Sequence, residues 1–294
     1  MFGFLNVDKA KYKTSRQVVT AIQQLCRPFK VGHAGTLDPM ATGVLTICVG
    51  PATRLTTHAQ AMPKTYLAGF RLGFESDSED VYGNIEELAD AHLVSESDIE
   101  AVLPEFIGEI DQLPPRFSAL KVDGKRAYKL ARKGVEFELK SRKVLIEDLQ
   151  LKSLSYPDFE IEIKCGSGTY VRSLGRDIGR RLGSGAIMTS LQRTSIGGFH
   201  VSDAIHSDDI TLESINSNLT KPQDYIENLN YISVPDEQLQ LFANGHAWAP
   251  KMPTDCPQLG AIDSSGRLLA ILNRRSADRY TPKTNFSKYW LESS

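Results

Sequence analysis

One segment restricts this chain more than any other: His33-Ala34-Gly35-Thr36-Leu37-Asp38-Pro39-Met40-Ala41-Thr42-Gly43-Val44-Leu45. Pro39 fixes its own φ and drives Asp38 away from helical conformations, while Gly35 and Gly43 permit sharp reversals on either side. The segment is therefore a rigid loop that displays the Asp38 carboxylate and runs into a strand over Gly43–Val49. A fixed carboxylate invites a catalytic reading. The competing reading is an Asp-Pro turn whose side chain bonds its own backbone.

Around that loop the periodicity alternates between strand and helix. Phe4–Val7 reads as a short strand, and after Thr14 or Ser15 as N-cap the positions Val18, Val19, Ile22, Leu25 and Cys26 recur at helical spacing. Tyr66–Leu72 is strand-like, and a short helix is expected near Thr53–Ala61. Ser118–Val122 ends at Asp123-Gly124, a turn signal, before a helical stretch Arg126–Arg132 capped by Gly134. Val144–Leu154 and Phe159–Cys165 read as further strands. From Thr169 as N-cap, Val171, Leu174, Ile178 and Leu182 form one helical stripe that stops at Gly183.

Large apolar residues thin out over 203–230, which reads as a connector. Beyond it, a helix around Gln238–Ala243 and strand-like runs at Leu259–Ile262 and Leu268–Leu272 predict a small β-rich module. Two domains are expected, 1–228 and 229–294.

Charge bears on the partner. The net charge of -2 over 294 residues argues against nucleic acid when averaged, but the charge is segregated. Between Glu75 and Asp111 stand 13 acidic residues and no Lys or Arg, whereas Arg116–Lys143 holds 10 basic residues against Asp123, Glu136 and Glu138. A second block, Lys164–Arg193, holds six basic residues against Asp177. Two positive surfaces for phosphates, with an acidic one facing away, are the expectation; solvated helix faces are the plainer reading. Cys26, Cys48, Cys165 and Cys256 lie far apart and near no histidine at metal-ligand spacing, so reduced thiols and no metal are expected. No apolar run reaches the roughly 18 residues of a membrane helix, and Met1–Lys9 has no signal-peptide pattern, so a cytoplasmic protein is expected.

The loop segment resembles the catalytic signature of the TruB family of tRNA pseudouridine synthases. Further blocks follow in the family's order: Lys64-Thr65-Tyr66; Asp77-Ser78-Glu79-Asp80 with Gly83; and Pro114-Pro115-Arg116-Phe117-Ser118-Ala119-Leu120-Lys121. Gly124-Lys125 with Tyr128, Ala131 and Arg132, then Ser167–Leu174, then Leu191-Gln192-Arg193-Thr194 complete the match over residues 3–200. Residues from 231 onward are loosely similar to a small RNA-binding module of PUA type. The resemblance implies an α+β fold with a mixed, largely antiparallel sheet and packed helices, and the isomerisation of a T-loop uridine, uridine 55, in tRNA. It implies Asp38 as nucleophile, Arg172 as the cation that keeps it ionised, and Tyr66 stacked on the target base. His33 would fill the gap left by the flipped base, with Tyr170 and Leu191 at the base pocket. Lys121, Lys125, Arg132 and Arg193 would meet phosphates.

The reaction is redox-neutral and needs no cofactor, in keeping with a chain that carries no GxGxxG fingerprint or P-loop. The expected partner is the T stem-loop of tRNA, bound by a monomer. One departure stands out: the family opens with an Asp-Lys-Pro-x-Gly-like turn, and this chain has Asp8-Lys9-Ala10-Lys11-Tyr12. Three other readings stand beside this one, and one of them, a guide-RNA-dependent relative that modifies ribosomal RNA, is disfavoured because the sequence has no long Lys-rich tails. A hydrolase acting covalently through Asp38 lacks a second acid between Leu37 and Leu45. An RNA chaperone would use the basic blocks without needing Asp38.

Overall fold

The computed structural model describes residues 1–227, 229–247, 255–276 and 279–292. The chain forms two compact units, one comprising Met1–Asp38, Val44–Met62 and Gly197–Ser294, the other Pro39–Gly43 and Pro63–Ile196.

The first unit begins with β1 (Gly3–Lys9), α1 (Ser15–Leu25), β2 (Val31–His33) and β3 (Thr42–Val49), then a 3-10 turn leading into α2 (Thr56–Ala61). Thr14 caps α1 in a reciprocal box: its hydroxyl accepts from the Gln17 amide, and the Gln17 side chain accepts from the Thr14 amide. Val18, Val19 and Ile22 face inward as their spacing predicts, and with Leu5, Val7, Leu45, Ile47, Val49 and Ile215 they form one core. Each fully buried side chain of this kind contributes about 1.5–3 kcal/mol. Leu25 is 39% exposed and lies off that stripe.

The second unit carries β4 (Lys64–Leu72), β5 (Phe74–Ser76), β6 (Ile85–Glu87), α3 (Glu96–Val102), β7 (Gly108–Gln112), β8 (Lys121–Val122), β9 (Lys125–Arg126), α4 (Ala127–Ala131), β10 (Arg142–Ser155), β11 (Asp158–Cys165), α5 (Val171–Arg181) and β12 (Ala186–Ile196). Its sheet runs β12-β4-β11-β10-β7 with every neighbour antiparallel. Thr42 and Gly43 add to this sheet, pairing parallel with Gln192 and Arg193. Gly43 is required there, because φ is +95° and a Cβ would lie 2.2 Å from the Arg193 carbonyl oxygen. Gly175 has the same role for α5: a Cβ would lie 2.0 Å from the Phe70 ring, so only glycine lets the helix approach β4 this closely.

The chain then returns to the first unit with β13 (Phe199–His200), β14 (Ile205–His206), α6 (Leu212–Asn218), β15 (Asn230–Ser233), α7 (Leu239–Ala243), β16 (Gln258–Ile262), β17 (Leu268–Arg274), β18 (Tyr280–Asn285) and α8 (Ser287–Glu292). β14 pairs parallel with β1, and β2 pairs antiparallel with β3. The order β15-β16-β17-β18 makes a separate small sheet with its own core of Val234, Phe242, Leu259, Leu269, Leu272 and Tyr280. Phe2 stacks on Trp290 at 5.2 Å and meets Phe286 at 4.9 Å, while the Met1 amine donates to the Tyr289 hydroxyl. The architecture is thus mixed α+β and largely antiparallel, as expected. The expected boundary residue 228 lies outside the described residues. No helix among the described residues is long and apolar enough to cross a membrane.

The atypical opening loop is held from within. The Lys9 amine is fully buried and donates to the carbonyls of Ala10 and Lys13 at 3.0 and 2.7 Å, and the Ala10 amide donates to Ser207 Oγ. Tyr12 occupies the position where the family turn has glycine, at φ 69° and 68% exposed. A left-handed residue with a side chain costs about 1–2 kcal/mol, more than the chain entropy of about 0.4–1 kcal/mol that glycine adds to the unfolded state. Tyr12→Gly is therefore expected to raise the unfolding free energy by roughly 0.5–1 kcal/mol in urea titrations. A variant no more stable than the parent would show that no strain is stored at this turn.

Candidate active site

Asp38 lies half-buried in the loop joining β2 to β3 and is the last residue of the first unit before Pro39. His33 ends β2, paired with Ile47, and the next amide, of Ala34, donates to the Thr46 carbonyl at 2.9 Å. Leu37 and Met40 are buried on either side of Asp38. Thr42 and Gly43 are then pinned to β12, so the loop enters and leaves through hydrogen-bonded strands.

In the second unit Tyr66 sits on β4, opposite Ile163 of β11 and Arg193 of β12. It belongs to an inward stripe of Lys64, Tyr66, Ala68, Phe70 and Leu72, and remains 8% exposed. Leu191 pairs with Ala68 and is equally covered. Burial, aided by the Arg193 charge, pushes the Lys64 amine down to about 8. Arg193 itself is 1% exposed. A guanidinium so covered does not reach a phosphate in this conformation, which corrects its expected surface role; its charge acts instead on Lys64.

The helix carrying Arg172 starts one residue later than expected, with Tyr170 rather than Thr169 at the N-cap. Buried Gln112 clasps the Tyr170 backbone, its Oε1 accepting from the amide at 2.8 Å and its Nε2 donating to the carbonyl at 3.1 Å. The Arg142 guanidinium lies over the Tyr170 ring at 4.4 Å. Arg172 is 6% exposed and donates to the carbonyls of Ser78 and Phe117 at 2.9 and 3.1 Å. It also faces Asp80 Oδ2 at 3.4 Å. A cation at a helix N-terminus opposes the dipole, so this carboxylate offsets both that repulsion and the loss of water. Asp80 is in turn oriented by the Ser78 hydroxyl at 2.6 Å and the Tyr82 amide at 3.0 Å.

The acidic run, for which the sequence suggested only a solvated far side, pairs with α5. Glu79 meets Arg176 and accepts from Ser173 Oγ, Glu75 faces Arg180 at 3.4 Å, and Glu105 grips Arg181 at 2.7 Å. Burial pushes the Glu79 carboxyl above its usual range, against the pull of Ser173 and Arg176. Lys164 pairs with Glu147 at 3.0 Å. The cations of the second basic block are therefore largely paired with carboxylates of the protein itself, Arg172 and Arg176 in buried pairs and Lys164, Arg180 and Arg181 in exposed ones. By contrast Lys121 and Lys125 stand exposed on the β8–β9 hairpin, closed by Asp123 and Gly124, and Arg132 stands exposed just after α4.

The parts played by Asp80, Glu79, Arg176 and Gln112 emerge only in the fold. Asp80 and Glu79 fall in the Asp77–Asp80 block, whose spacing alone does not reveal the pairing with α5.

The family model described as TruB family pseudouridylate synthase, N terminal domain, matches residues 23–171, and that of the tRNA pseudouridylate synthase B C-terminal domain matches 172–231. The tRNA pseudouridine synthase B of a Synechocystis species is 39% identical, over 81% of this chain and 82% of its own. That of Dehalococcoides mccartyi is 34% identical over 97% of both chains. A crystal structure of a Cbf5-Nop10-Gar1 complex has the same fold, with TM-score 0.72 at 24% identity over 97% of this chain and 85% of that one.

Lys64 yields a prediction independent of catalysis. Its folded pKa of about 8 lies below the ordinary value of 10.5, so between these limits the unfolded chain holds more protons and stability rises with pH. The stability difference between the parent and Lys64→Met should shift in the parent's favour as pH rises from about 8 to 10.5. A constant difference in urea melts across that window would refute the depressed pKa.

Proposed function

The chain belongs to the TruB family of tRNA pseudouridine synthases, and we propose that Asp38 is the nucleophile with which it isomerises a T-loop uridine, at position 55, to pseudouridine. The enzyme is an isomerase acting on tRNA. In that reaction the bond from ribose C1′ to uracil N1 breaks, the base turns over, C5 bonds to C1′, and the C5 proton is released while N1 gains one. No electrons are exchanged, and a single carboxylate suffices to expel the base by attack on, or proton removal from, the sugar.

The observation that carries the reading is the mounting of Asp38: a half-buried carboxylate in a proline-stiffened loop whose two ends are tied into strands. A flexible surface aspartate would have to be ordered at each turnover; this one is held before substrate arrives. Arg172 supplies the positive charge that favours the ionised carboxylate, because desolvation alone would favour the neutral acid. Its own hydrogen bonds to Ser78 and Phe117 and its pairing with Asp80 support a fixed guanidinium in that role. Tyr66, 8% exposed and second in the inward stripe of β4, offers a ring for stacking on the extruded base, with Leu191 on the neighbouring strand. His33 takes the space left in the RNA stack, and Tyr170 assists at the base pocket. Lys121, Lys125 and Arg132 contact backbone phosphates of the T stem-loop, a reading supported by their exposure on one hairpin and the helix that follows it.

The reading extends to organisation: a catalytic domain over 1–228, a PUA-like RNA-binding module over 229–294, and a monomer working in the cytoplasm without a cofactor. The separate core of the small sheet supports the module, as does the end of the second family match at residue 231.

Unmodified tRNA tritiated at uracil C5 tests the chemistry. Wild-type protein should release tritium to water, and Asp38→Asn should abolish release while retaining its tRNA Kd. Turnover by Asp38→Asn at the parental rate would remove Asp38 from the chemistry. For the interface, Lys121→Ala and Arg132→Ala should each weaken tRNA binding and lower the slope of log Kobs against log salt by about 1. An unchanged slope would place those side chains outside the complex.

A further inference from the structure

We propose that Ser15 is a positioning residue for Asp38, setting the angle at which the carboxylate is presented; the inference rests on the reading of Asp38 as nucleophile. Ser15 is the first residue of α1 and is 2% exposed. Its hydroxyl makes two bonds to one residue of the catalytic loop, donating to the Leu37 carbonyl at 3.1 Å and accepting from the Leu37 amide at 2.9 Å. Helix capping does not occupy this hydroxyl, because Thr14 and Gln17 already form the capping box. Thr14 and Ser15 are equivalent cap candidates in the sequence; in the fold, one closes the helix and the other grips the loop.

The geometry gives that grip its consequence. The Leu37 carbonyl belongs to the peptide plane that ends at the Asp38 nitrogen, so Ser15 fixes the plane entering the Asp38 α-carbon. The plane leaving it belongs to Asp38-Pro39, where the proline ring restricts the preceding backbone. One hydroxyl and one ring therefore hold the two planes flanking Asp38, and the carboxylate keeps only its side-chain rotations. Ser15 is itself anchored by the capped helix, whose Val18, Val19 and Ile22 lie in the core. On the other side, the buried Lys9 amine fixes the turn that leads into Thr14 through the Lys13 carbonyl. The chain thus reaches the carboxylate through fixed points from β1 onward.

Tritium release and tRNA binding measured on Ser15→Ala, Ser15→Thr and Asp38→Asn test this, with rates normalised to the folded fraction by circular dichroism. Ser15→Ala should lower kcat about 10- to 100-fold with KM and the tRNA Kd unchanged, and Ser15→Thr, which keeps the hydroxyl, should recover most of the rate. Should Ser15→Ala fail to fold, Ser15→Cys keeps a side chain of the same shape, somewhat larger and with a much weaker hydrogen-bonding group, and should show the same split between kcat and KM. Parental kcat in the Ala or Cys variant overturns the positioning role, as does a loss that disappears on normalisation. If Asp38→Asn is inactive while Ser15→Ala is fully active, the nucleophile reading stands and only this proposal falls. If Asp38→Asn stays active, both fall.

Discussion

The arrangement depends first on how the arginines of α5 are neutralised. One 11-residue helix carries Arg172, Arg176, Arg180 and Arg181, and each faces a carboxylate from the run that precedes it, namely Asp80, Glu79, Glu75 and Glu105. The outer two pairs are exposed and add little to stability. The inner two are buried, and there the cost of losing one partner, about 3–5 kcal/mol, far exceeds any net gain from the pair. Their contribution is register: α5 slides or rotates only by separating buried charges. Gly175 against Phe70 enforces the same register by shape, since any side chain there would push the helix off β4. Glu79 takes a left-handed backbone at φ 65° within this contact, so the loop is bent to deliver its carboxylate inward.

This neutralisation also divides the positive charge by task. Of the two basic blocks in the sequence, Lys164–Arg193 is spent on internal pairing and packing, and the hairpin and helix around Lys121, Lys125 and Arg132 keep their charge at the surface. A net charge of -2 is thus compatible with an RNA substrate, because part of the acidic charge, Asp80, Glu79, Glu75 and Glu105, sits against α5, while the stretch around Lys121, Lys125 and Arg132 keeps an excess of basic residues.

Local features were readable from sequence where the cause is local. The Thr14 cap, the Val18–Ile22 stripe, the Asp123-Gly124 turn and the rigid Asp38 loop each follow from residues within a few positions of one another. The sequence misleads where the cause is distant. Thr169 has the right chemistry for an N-cap, yet Gln112, 58 positions away, clasps Tyr170 and moves the helix start. Arg193 looks like a surface cation in one dimension, but in the fold Gly43 pairs with it on one side and Tyr66 on the other, and it is 1% exposed. Three residues, Val31–His33, are too few to show a period, so β2 exists only because β3 pairs with it. The purpose of the acidic run is hidden for the same reason, since the partners of Glu105, Glu79 and Glu75 come 76, 97 and 105 residues later. The proposed site follows suit: the motif marks Asp38, while the supports of Arg172 depend on contacts no motif expresses.

The first unit is discontinuous, and this bears on how the molecule is made. On the ribosome, β1 emerges long before its parallel neighbour β14, the Ile215 side chain of its core, or the Trp290 ring that covers Phe2. The second unit, apart from Pro39–Gly43, is continuous in sequence and complete by Ile196. Early folding of residues 63–196 and late closure around β1 is the order that vectorial synthesis favours. A nascent chain therefore displays the Asp38 segment for most of its translation before the core behind it can close, and truncation before Ile215 leaves that core without one of its members.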